Sequence, residues 1–162
     1  MSFVDSKCLE SLLIEGEEIA TESSANMQYN EFIQYNVPSF INKLIAENVN
    51  RKDIEKPFAM TAFGDILAYS NDGYIFNISF ESHSCKVIGT KKFTSNLKDP
   101  EYLKDNFDMD LYEYALNTLG KLKPGECYGY QPLRSLGGGK SNLTKDKLRE
   151  YLNICIQANG SL

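Results

Sequence analysis

The sequence predicts an α+β fold, a mostly antiparallel sheet of about four strands packed with helices. Three observations carry this. Asn71-Asp72-Gly73 lies between two apolar runs, and these residue types tolerate the positive φ that tight hairpin turns demand. The run before the turn is apolar on both faces, with Phe63, Leu67 and Tyr69 on one and Ile66 and Ala68 on the other, as in an interior strand covered on both sides. Apolar residues at helical spacing precede and follow this region.

In chain order, Asp5 or Ser6 caps a first helix over Lys7–Ala20, with Leu9, Leu12, Leu13 and Ile19 on its apolar face. Thr21–Asn26 is a polar loop, and the spacing of Tyr29, Phe32, Ile33 and Tyr35 fits a short helix better than a strand. Pro38 opens another helix, in which Phe40, Ile41, Leu44, Ile45 and Val49 keep the period. Arg51–Lys56 reads as a charged connector closed by Pro57. The hairpin spans Ala62–Phe80; after its turn Tyr74, Phe76, Ile78 and Phe80 share one face, and Asn77 and Ser79 the other. A third strand covers Cys85–Thr90. Asp99-Pro100-Glu101 combines a cap, a proline at the first position and an acid in the first turn, a helix-start signal. Asp108 or Asp110 opens the next helix, with Leu111, Tyr114, Ala115 and Leu119 inward and Gly120 as its stop. Leu122–Glu126 is a turn, Cys127–Leu133 a last strand, and Gly137-Gly138-Gly139 a mobile loop. Thr144 then caps a final helix with Leu148, Tyr151, Leu152, Cys155 and Ile156 as its core stripe.

Composition narrows the function classes. At 162 residues, 42% hydrophobic and 24% charged, the chain is sized and composed as one globular domain rather than a disordered segment. The net charge of −5 is uneven: residues 1–60 hold 10 acids and 5 bases, residues 61–162 hold 12 of each. No basic stripe suggests nucleic acid, no apolar run suggests a membrane span, and Ser2–Glu10 has none of the features of a signal peptide. Cys8, Cys85, Cys127 and Cys155 lie far apart with no C-x-x-C pair, which reads as reduced, mostly buried thiols in a cytoplasmic protein.

Catalytic and cofactor signals are weak. Gly137-Gly138-Gly139-Lys140-Ser141 looks like the end of a phosphate-binding loop, but the required glycine five positions before Gly139 is Arg134. His83 is the only histidine; Ser82 and Ser84 flank it along an extended chain and point away from it, so no triad forms, and no ligand-spaced partner supports a metal site. It reads as a surface turn residue. Asp65, Asp72 and Glu126 lie near strand ends and keep a carboxylate enzyme open as an alternative. Candidate catalytic, cofactor and metal residues are therefore none. Two segments suggest a protein partner instead. Tyr128-Gly129-Tyr130-Gln131-Pro132-Leu133-Arg134 has the aromatic and arginine content of interfaces, with a core strand as the plain reading of Tyr128 and Tyr130. Glu10, Glu15, Glu17, Glu18 and Glu22 cluster acidic charge that either solubilises or docks on a basic surface. The candidate partner-binding residues are Glu10, Glu17, Glu18, Tyr130 and Arg134.

Two stretches together resemble a bacterial domain family. Thr61-Ala62-Phe63-Gly64-Asp65-Ile66-Leu67 followed by Asp72-Gly73-Tyr74-Ile75 resembles its front. Pro124-Gly125-Glu126-Cys127-Tyr128-Gly129-Tyr130-Gln131-Pro132-Leu133, then Leu136-Gly137-Gly138, Asn142-Leu143 and Lys147-Leu148-Arg149-Glu150-Tyr151-Leu152, resembles its back half. The family is the C-terminal domain of type VI secretion DNase immunity proteins, and the resemblance spans residues 57–160. It implies an α+β domain that binds and neutralises a cognate toxin, a nuclease being one candidate, without catalysis. Residues 1–56 read as a helical, acidic N-terminal part of the same single domain and depart from the longer N-terminal domains of many relatives. A small hydrolytic or nucleotide-binding enzyme, or a regulatory or scaffolding module, are the alternatives. The toxin, the surface that meets it and the oligomeric state are not legible.

Overall fold

A computed structural model describes residues 31–162; the expected helix at Lys7–Ala20 and Glu10, Glu17 and Glu18 lie outside them. Five strands form one antiparallel sheet in sequential order: β1 (Ile33–Gln34), β2 (Ile54–Thr61), β3 (Ile66–Ser70), β4 (Tyr74–Ser79) and β5 (Ser84–Thr90). A second sheet pairs β6 (Glu126–Tyr130) with β7 (Leu143–Lys147). The helices are α1 (Phe40–Asn48), α2 (Pro100–Asn106), α3 (Met109–Leu119) and α4 (Leu148–Asn159), with a 3-10 segment over Lys91–Lys98.

Strand β3 is central and covered on both faces, as its two-sided apolar pattern requires. Ile66 and Ala68 join Phe76, Ile78 and Phe80 in a core closed by Ile41 and Ile45 of α1 and by Leu148, Tyr151, Leu152 and Cys155 of α4. Leu67 points the other way, into a core made with Phe32, Leu103 of α2, Met109, Tyr112 and Ala115 of α3, and Tyr128 and Tyr130 of β6. Asp99 caps α2 by accepting from the Glu101 N–H, Asp108 caps α3 by accepting from the Leu111 N–H, and Gly120 ends α3 at φ 84°. Cys127 and Cys155 are buried free thiols, and Cys85 is a part-buried one.

Four local expectations give way to long-range pairing. Ile33–Gln34 is a short strand, because its backbone pairs with Thr61 and Met60. The strand Ile54–Thr61 takes in the end of the expected connector Arg51–Lys56 and the Pro57 expected to close it; Pro57 is tolerated beside a register shift between Pro57 and Ala59, where a missing N–H costs little. Ala62–Gly64 is not the hairpin's first arm but a tight turn between β2 and β3, with Gly64 at φ 85° donating to the Thr61 carbonyl. Leu143–Lys147 lacks an apolar alternation, yet it pairs residue for residue with Tyr130–Glu126. Thr144 therefore sits in a strand, donating to the Asp146 carboxylate, and the final helix begins at Leu148. The glycine segment is held by backbone bonds rather than left loose: the Gly138 N–H donates to Leu133 and the Asn142 N–H to Gly139.

Candidate functional site

The polar face of β4 becomes the floor of a cleft. Antiparallel register sets Asn77 opposite Leu67 and Ile78 opposite Ile66, so the next step places Ser79 across from Asp65. Asp65 is held there by the turn before it. Thr61 Oγ1 accepts from the N–H groups of Phe63 and Asp65 at 3.2 Å each, and the Thr61 N–H donates to the Asp65 carbonyl at 2.9 Å. Two residues beyond Ser79, Glu81 continues the same line. The Nδ2 of Asn159, near the end of α4, fixes its backbone by donating to the carbonyls of Phe80 and Glu81 at 3.0 Å each.

The walls come from distant segments. Phe32, Phe63, Phe107 and Tyr128 line one side, with Phe32 packed edge-on against Phe107 at 5.2 Å and Phe63 tilted against Tyr128 at 5.9 Å. Tyr130 and Arg134 bound the other side. The cleft encloses about 180 Å³.

Arg134 is tied down twice. Its guanidinium donates to both oxygens of Glu81, at 2.5 Å from Nη2 and 3.0 Å from Nε, and lies 4.8 Å over the Tyr130 ring. The Glu81 side chain is 8% exposed and that of Arg134 51%, so the carboxylate is held inside while part of the guanidinium faces solvent. The bond to Glu81 raises the Arg134 pKa further above its ordinary value. Tyr130 is itself buried; the solvent-facing part of this pair is the Arg134 head. Gly129 is required because a Cβ there would overlap the Tyr151 ring and the Asp146 carboxylate.

Asp65 is the chemically unusual group. The residue as a whole is only part-buried, but its carboxyl is enclosed by the cleft. Burial pushes its pKa up to about 7; the Ser79 hydrogen bond and the Arg134 charge oppose this, and Glu81 adds to it. On the same cleft, Asn77 Oδ1 is buried with no hydrogen-bond donor among the described residues.

The structure thus brings Tyr130 and Arg134 together and adds Asp65, Asn77, Ser79 and Glu81 to them. The last three escaped sequence reasoning, although polar residues alternating along a strand of a sheet covered on both sides were a usable signal. Asp72 and Glu126 lie elsewhere: Asp72 accepts from the Ser70 hydroxyl at the hairpin tip, and Glu126 accepts from the Lys123 N–H. His83 is exposed in its turn at φ 56°. Lys140 rests 4.3 Å from the Tyr114 ring centre. Among the described residues no cluster of His, Cys, Asp or Glu is placed to hold a metal ion, and no helix is long and apolar enough to cross a membrane.

Residues 89–159 match the family described as T6SS immunity protein Tdi1, C-terminal. The match includes all the back-half motifs and the Tyr130 and Arg134 side of the cleft, in somewhat under half of the chain. It bears out the resemblance those motifs carry; the front segment, Thr61–Ile75, lies before it. The crystal structure of Atu4351 from Agrobacterium tumefaciens has a similar fold, with a TM-score of 0.56 at 19% identity over 79% of this chain and 67% of that one. No curated protein matches the sequence.

Proposed function

We propose that this protein is an immunity-type binding protein that neutralises a cognate bacterial toxin by direct contact, without catalysis. The observation that carries this reading is the match of residues 89–159 to a type VI secretion immunity family. The site's chemistry supports it: an arginine head anchored by Glu81 and stacked on Tyr130 is a preorganised contact of the kind that dominates protein interfaces. The proposed contact residues are Arg134 with Tyr130 beneath it, together with the acidic Glu10, Glu17 and Glu18, which suit a basic toxin such as a nuclease. The protein is read as one domain over residues 1–162, acting in the cytoplasm where an incoming toxin would act.

The carboxylate-enzyme alternative has its best group in Asp65. The other two carboxyls of the cleft are engaged, Glu81 by Arg134 and Asp108 by the Leu111 N–H at the start of α3, which disfavours the paired acid–base chemistry of such enzymes.

The decisive test is co-expression with the product of the adjacent gene. Restored growth together with co-purification of the two chains is the expected result. Growth inhibition that persists at equal expression, with no complex recovered, would reject the reading.

A further inference from the structure

The cleft is lined by the carboxyl groups of Asp65, Glu81 and Asp108 and by the unpaired amide oxygen of Asn77. Its floor holds the Asp65 carboxyl, set across from Ser79 of β4. It also holds Asn77 Oδ1, which receives no hydrogen bond from the described residues. Ser79 Oγ accepts from the Ser82 N–H at 3.1 Å. The one guanidinium nearby is paired with Glu81 through Nε and Nη2 and turns the rest of its head to solvent. An unpaired buried acceptor is costly, so the Asn77 amide oxygen is a point where an incoming donor gains most. The charges agree: Asp65, Glu81 and Asp108 line the cleft against the single cation Arg134. So do the walls, because Phe63 and Phe107, both part-exposed, present aromatic surface of the kind that attracts cations. The size is also selective. At about 180 Å³ the cleft is smaller than the roughly 300–1,000 Å³ typical of small-molecule sites, and suits one side chain.

We propose that this cleft is a receptor for a single basic side chain, a lysine or arginine presented by a protein partner, whose ammonium or guanidinium donates to Asp65 and Asn77 while its alkyl stem lies against Phe63 and Phe107. The proposal rests on the binding-protein reading above and gives that reading a specific anchor point. An incoming cation supplies the donor that Asn77 Oδ1 lacks and a second positive charge near Asp65 beside that of Arg134, so the interaction is made largely from groups already oriented. Preorganisation of this kind lowers the ordering cost of association.

The test uses the full chain, isotopically labelled, titrated with n-butylammonium, methylguanidinium and the uncharged n-butanol while backbone and asparagine side-chain amide resonances are followed. The expected result is saturable shifts of Asn77 Nδ2–H₂ and of the amides around Asp65 and Ser79 with one or both cations and not with the alcohol. Asp65→Asn and Asn77→Leu each weaken binding by about tenfold or more, whereas Glu101→Gln on the exposed face of α2 does not. Asn77→Leu removes the orphan acceptor rather than creating one, so it keeps the test valid if Asp65→Asn disturbs the fold. Shifts scattered over the acidic surface, or equal in all three variants, would overturn the proposal. The readout needs no toxin: a failed growth rescue with intact cation binding would sink the immunity reading alone.

Discussion

Asp65 sits where ionisation is expensive, and that expense has a sign. Its pKa rises from an ordinary 3.8 to about 7 in the fold, chiefly by burial. Between those values the folded chain holds a proton that the unfolded chain has released, so this residue's contribution to stability declines as pH rises through that window. Asparagine at the position carries no charge at any pH. Asp65→Asn is therefore expected to gain stability over the wild type on going from pH 5 to pH 8, by on the order of 1–3 kcal/mol. Urea unfolding of both chains at the two pH values measures it, and a difference that does not change with pH would show that the carboxylate ionises freely in the fold. A residue that costs stability near neutral pH yet lines a cleft is what a site selected for binding, rather than for folding, leaves behind. Gly129 makes the complementary point about packing. Its place against Tyr151 and Asp146 leaves no room for a methyl group, so Gly129→Ala is expected to cost about 1–3 kcal/mol in the same assay. A loss below about 0.5 kcal/mol, the range of neutral surface changes, would mean that Tyr151 moves aside without penalty.

At the level of elements, how legible the chain is depends on where each element's information lies. Helices α2 and α3 carry their own start signals at Asp99 and Asp108, and the β3–β4 hairpin carries its turn, so local reading reaches all three. Strands β2 and β7 do not carry theirs. β2 contains a proline preceded by Glu55 and Lys56; β7 reads Leu-Thr-Lys-Asp-Lys. Both are strands because a neighbouring backbone is waiting, β3 for one and β6 for the other. The same cause hid half of the cleft. Arg134 and Tyr130 stand out by residue type, but Asn77, Ser79 and Glu81 gain meaning only once Asp65 is set across from them and Arg134 arrives from 53 residues away. Helix α4 shows the reverse case, with its start misplaced but its buried stripe correct: Leu148, Tyr151, Leu152 and Cys155 all face the core. Leu152, 1% exposed, joins α4 to the sheet that floors the cleft. Leu152→Ala is expected to cost about 2–5 kcal/mol in chemical denaturation. A cost under about 0.5 kcal/mol would make α4 peripheral to the core.

For the whole molecule, charge is distributed as if two jobs had been separated. The excess of acid lies in residues 1–60, while residues 61–162 are balanced, and the cleft adds its own local negative set on the described body. If the acidic stretch containing Glu10, Glu17 and Glu18 meets a basic toxin, its contribution belongs to the approach of the two proteins, because exposed charges steer encounter more than they hold a finished complex. The cleft's contribution belongs to the lifetime of the complex, since burying a paired cation there affects dissociation. The two are separable by kinetics. Glu17→Lys combined with Glu18→Lys is expected to lower the association rate by roughly tenfold at low salt and to leave the dissociation rate nearly unchanged. Added salt should narrow the gap between variant and wild type, because exposed charges are screened beyond about 8 Å at physiological ionic strength. Asp65→Asn should do the opposite, speeding dissociation with little effect on association. Surface-immobilised toxin from the adjacent gene, with the wild type and both variants flowed over it at low and high salt, reads all four rates. Association that ignores both salt and the charge reversal would assign the acidic stretch to solubility and leave Arg134 and the cleft as the interface.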